Sequence, residues 1–104
     1  MDEKGYRDAA AVVHEVAVNA RREARQLDEH RAALARYALV WWQGGAAERY
    51  QQLVQDRVNA LAQVGGHLDD LAQRADRLAK ALEGEAAIAA TIARIHAEHP
   101  VIFR

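Results

Sequence analysis

A chain of 104 residues with a formal net charge of −1 has room for one domain and lacks the clustered basic face that nucleic acid requires. It holds no Cys, no Ser and a single Thr, Thr91, which removes disulfides, thiolate metal sites and most nucleophile chemistry. Half the residues are apolar, at 51%, but 24 of them are Ala, so large side chains for a core are few. No uninterrupted apolar run of about 18 residues exists to span a membrane. Arg7, Asp8, His14 and Glu15 interrupt the first apolar residues, so no cleaved signal peptide is expected.

Met1 to Gly5 are polar and are expected to fray. From Tyr6 an apolar residue recurs every seven positions, through Val13, Ala20, Leu27 and Leu34 to Trp41. Four residues beyond each lie Ala10, Ala17, Ala24 and Ala38, with Arg31 as the exception. Three beyond lie Ala9, Val16, Glu23, His30 and Tyr37. This spacing predicts a helix over 6–41, roughly 50 Å long, whose seven-residue period implies a left-handed supercoil with a neighbouring helix. The charges of Arg21, Arg22, Glu23, Arg25 and Glu29 read as a solvated face, with partner choice through charge matching as the alternative.

The pattern stops at Val40 to Glu48. Both tryptophans stand just before Gly44 and Gly45, and two adjacent glycines release the backbone from helical φ/ψ. A turn is expected at 42–45, followed by a helix at 46–98 with Glu48 near its N3 position. In this second helix Ala47, Val54, Leu61, Leu68, Ala75, Leu82 and Ala89 hold one heptad position. Tyr50, Val64, Leu71, Leu78 and Ile92 hold the position three later, broken by Arg57 and Glu85. Gly65-Gly66 weakens the helix by about 1 kcal/mol per Gly. The heptad phase is unchanged across them, which points to a bend or a close helix contact rather than a domain boundary. His99-Pro100 ends the helix, because the residue before a proline avoids helical φ/ψ.

The expected fold is all-α, one domain over 1–104: an antiparallel helical hairpin with a short tail at 99–104. Folded back, the first helix would cover the second to about residue 82. Two helices bury one narrow seam, and Val12, Leu39, Leu53, Val58 and Ile88 lie off it. Pairing two hairpins into a four-helix bundle would bury that second stripe. The expected partner-interface residues are Val13, Leu27, Leu34, Trp41, Leu61, Leu68, Leu71 and Leu78. Glu85, Ile88, Ile92 and Ile95 are read as a C-terminal recognition segment.

The layout of two helices in about one hundred residues, with Trp42-Gln43-Gly44 near the midpoint, resembles the WXG family of small type VII (ESX) secretion proteins. The resemblance implies helical hairpins that dimerise, with themselves or with a related small WXG protein, and leave the cell folded without a cleaved signal. It makes Trp42 and Gly44 the turn and export motif, read by the secretion machinery. The family also places a Tyr-x-x-x-Asp/Glu motif near the end of the second helix. Here Tyr6, Tyr37 and Tyr50 are followed four residues on by Ala10, Trp41 and Val54, and the nearest remnant is Ala81 with Glu85. The chain therefore supplies either half of a composite signal or belongs to a branch that is not exported.

The function expected is binding rather than catalysis, with no cofactor: a dimeric secreted substrate of a type VII system, or the partner of one. The alternative is a cytoplasmic helical adaptor or chaperone-like partner of a larger protein, such as a toxin with a helical leader. His96 and His99 lie three apart but lack a visible third ligand, so a solvated helix end is the simpler reading. A membrane-touching tip around Trp41 and Trp42 lacks the basic cluster that such tips carry, so membrane contact is not expected.

Overall fold

The computed structural model describes the backbone of residues 1–40 and 45–99 and the side chains of 1–36 and 48–99. Trp41 at the expected end of the first helix, Trp42 and Gly44 of the expected turn, and Pro100 after the second helix lie outside the described residues. The chain is all-α, with two long helices in a helical hairpin: α1, Glu3–Val40, and α2, Gly45–Glu98.

The first helix begins before Tyr6. Asp2 is its N-cap: Oδ1 accepts the Gly5 backbone N–H at 2.8 Å, and the Asp2 carbonyl accepts the Tyr6 N–H at 3.0 Å. Glu3 adds an acid in the first turn, where the helix dipole favours it, and its carboxylate meets Arg7 Nε at 3.0 Å. The expected fraying of Met1 to Gly5 is thus replaced by a capped start, since a side chain satisfies an amide the helix leaves open. Replacing Asp2→Ala is expected to cost about 1 kcal/mol, read as a lower thermal midpoint. An unchanged midpoint would show that the cap contributes nothing to the fold.

The packing divides into two units, Met1–Ala17 with Gln73–Arg104, and Val18–Ala72. In the first, Ala10 and Ala17 of α1 are buried, as are Ala75, Ala79 and Ala86 of α2. Tyr6, Val13 and Leu82 stand half-buried beside them. In the second, Ala20, Ala24, Val58 and Ala72 are buried, while Leu27, Leu34, Val54, Leu61 and Leu68 are half-buried. Each unit therefore has a seam of small side chains flanked by larger ones.

On α1 the buried rows are those the periodicity predicts, Tyr6-Val13-Ala20-Leu27-Leu34 and Ala10-Ala17-Ala24. On α2 the second row differs. The residues four after the heptad positions from Val54 to Leu82, namely Val58, Gly65, Ala72, Ala79 and Ala86, turn inward. Those three after a heptad position, Tyr50, Val64, Leu71, Leu78 and Ile92, turn outward, 46% to 61% exposed. Small residues on facing helices allow their axes to approach toward the short end of the usual 8–10 Å range. A row of Leu and Ile would hold them apart. Val58, expected off the seam, is for the same reason inside it, at 7% exposure.

The cover of α2 also extends beyond residue 82, because Ala86 is fully buried and Ala89 and Ala90 are half-buried. His14 lines one groove with Asp76, Ala79, Lys80 and Glu83, so the α1 residues before it reach past Leu82. Thr91 to His99 are exposed. The helix runs through Gly65, Gly66 and Gly84, and a Cβ built at any of them meets no atom within 4 Å. A close helix contact is therefore not what these glycines provide in the single chain.

Candidate functional site

A seam built almost wholly of Ala leaves the large apolar side chains of α2 elsewhere. In the unit of Met1–Ala17 and Gln73–Arg104, Leu78, Ile88 and Ile92 are 50%, 54% and 53% exposed. Arg74, Ala81 and Glu85 share that outward side. Among the described residues of the unit Val18–Ala72, Tyr50, Leu53, Val64 and Leu71 are the exposed large apolar residues of α2, and Val18 is that of α1. Burying a Leu or Ile contributes about 1.5–3 kcal/mol, against roughly 0.8 kcal/mol for a single methylene-sized group. About half of the surface of Leu78, Ile88 and Ile92 is thus still open to solvent in the single chain.

Within the unit of Val18–Ala72 lies an apolar groove of about 490 Å³, lined by His30, Leu34, Tyr50, Leu53, Val54, Arg57 and Leu61. Its floor comes from half-buried heptad residues, Leu34, Val54 and Leu61, and its edges from His30 and Arg57. Arg57 and His30 interrupt apolar rows in the sequence, and here both stand at a rim open to solvent. Grooves lined by Ala24, Arg25, Asp28, Glu29 and Asp69, and by the residues around His14, are polar at their edges. Arg31 is held by Asp28, with Nη2 and Nε at 2.7 and 3.2 Å from Oδ1, and such exposed pairs contribute at most about 1 kcal/mol.

The residues expected at a partner interface fall into two sets. Val13, Leu27, Leu34, Leu61 and Leu68 are half-buried along the hairpin's own seam, whereas Leu71 and Leu78 face outward. Glu85, Ile88, Ile92 and Ile95 of the C-terminal segment are all exposed. The side chain of Trp41, and the Trp42-Gly44 motif, lie outside the described residues. His96 and His99 are exposed near the end of α2, and among the described residues no three or more potential metal ligands come together. No helix, among the described residues, is long and apolar enough to cross a membrane.

The fold and surface define a two-helix hairpin with a small-residue seam and an apolar outer face on its second helix. Comparison with known protein families, with curated proteins and with solved structures found no match.

Proposed function

We propose that this chain is a non-enzymatic helical-hairpin protein of a type VII secretion system, acting as a folded dimeric substrate or as the partner of one. The outward apolar rows of α2, with Leu78, Ile88 and Ile92 at least half exposed beside a seam of Ala, support the binding part of this reading. Helix-on-helix pairing is the economical way to cover such a stripe, and two hairpins side by side form a four-helix bundle. The secretion part rests on the Trp42-Gln43-Gly44 motif between two heptad helices. Its mechanism would be recognition: paired hairpins present the Trp-Gly turn and the end of α2 as one surface to the machinery.

Export into the medium tests this. Trp42→Ala, and a chain truncated after Ala90 so that Ala86 stays in the seam, are each expected to lower the exported fraction roughly tenfold or more, the effect of losing one strong anchor. The total in cells and medium together should be unchanged. Normal export of both variants would remove these roles. A wild-type chain that stays in the cell and co-purifies with a larger protein would instead identify the cytoplasmic adaptor.

A further inference from the structure

We infer that the outer face of α2 pairs with the same face of a second copy of this chain, antiparallel, in a register that sets Arg74 of each copy against Glu85 of the other. α2 is one uninterrupted helix, so its outward residues follow two heptad rows. In the unit of Met1–Ala17 and Gln73–Arg104, one row runs Leu78, Glu85, Ile92, and the other, offset by three residues, runs Arg74, Ala81, Ile88, Ile95. All of them are exposed. The two charged residues in these otherwise apolar rows, Arg74 and Glu85, are what select the arrangement.

In an antiparallel coiled coil the first row of one helix meets the second row of the other. With a two-fold axis between the positions of Ala79 and Lys80, Leu78 meets Ala81, and Glu85 meets Arg74. Moved by one heptad in either direction, Arg74 would stand against Ile92 or against Leu78, and the ion pair between the two copies would be lost. A parallel pair would set Arg74 against Arg74 and Glu85 against Glu85, which like-charge repulsion disfavours. Self-complementarity of this kind is what a two-fold interface requires, because each contact occurs twice. Arg74 already has an interaction within its own chain, and a guanidinium has donors for a further carboxylate.

This rests on the helix-pairing part of the proposed function and not on export. The test is sedimentation equilibrium of the full chain, with circular dichroism to show that helix content is kept. Arg74→Glu and Glu85→Arg, made singly, should each weaken dimerisation roughly tenfold or more. Combined in one chain they should restore it to within a few fold of wild type. Within one helix these residues are about 16 Å apart, so such a rescue cannot come from contact inside the chain. As a second measurement, the chain lacks Cys, so mixing Leu78→Cys with Ala81→Cys should give a disulfide-linked dimer under mild oxidation. Mixing Leu78→Cys with Ile88→Cys, one heptad out of register, should not.

A dimer that ignores both charge reversals, or that crosslinks through positions 78 and 88, overturns this register and leaves the pairing of hairpins standing. A chain that stays monomeric at every concentration overturns self-pairing altogether. The export assay then decides the secretion reading independently.

Discussion

Replacing Ala17→Leu or Ala86→Leu is expected to lower the stability of the chain by about 1–3 kcal/mol or more, because both positions are fully buried in a seam of small residues. A drop in thermal midpoint on the order of 10 °C would follow for a domain of this size, measured at one fixed protein concentration. The chemistry of the substitution runs against intuition. Leu is an excellent helix former and more apolar than Ala, so an exposed or loosely packed site would gain from it. Only a close approach of the two helices turns the larger side chain into a wedge. Ala11→Leu is the matching control, since Ala11 lies on the exposed side of α1 and the same substitution there should leave the midpoint nearly unchanged. If Ala17→Leu and Ala86→Leu both raised the midpoint, the small-residue seam would not be what holds α1 against α2.

The opposite sign is expected at the glycine pair. Gly65→Ala and Gly66→Ala together should stabilise the chain by about 2 kcal/mol, about 1 kcal/mol for each Gly replaced in a helix interior. The space is available, with no atom within 4 Å of a Cβ at either position. Gly65 also shares its inward row with Val58, Ala72, Ala79 and Ala86, so an Ala there repeats its neighbours. Adjacent substitutions need not add fully, and the single variants fix each share. A fall in the thermal midpoint would overturn the expectation. It would show that backbone comes close to these glycines in the assembled protein in a way it does not in one chain.

The first helix is legible in sequence because its rows differ in chemistry. The row of Ala10, Ala17 and Ala24 is small and apolar, while the competing row contains Glu23 and His30, so polarity itself chooses the inward side. On the second helix polarity cannot choose. Leu71 and Leu78 lie on one candidate row, Ala72 and Ala79 on the other, and both are apolar. The larger residues look like the core to any reading that ranks side chains by hydrophobicity. That misplaces Val58 as well, which reads as off-seam and is buried.

Helix content, the approximate positions of both helices and the end of α2 before Pro100 follow from local rules: heptad spacing, the glycine pair at 44–45 and the backbone restriction ahead of a proline. So does the chemistry that the chain lacks, since no folding can supply a Cys or Ser. Which face of α2 turns inward was decided only in three dimensions. The choice depends on how closely α1 approaches, and α1 offers Ala10, Ala17 and Ala24, which admit a near neighbour and leave no room for Leu or Ile. The length of the seam was settled in the same way, with Ala86 covered because the Asp2 cap starts α1 early and His14 lies alongside Asp76 to Glu83. Periodicity describes one helix at a time, whereas distance between helices is a property of two.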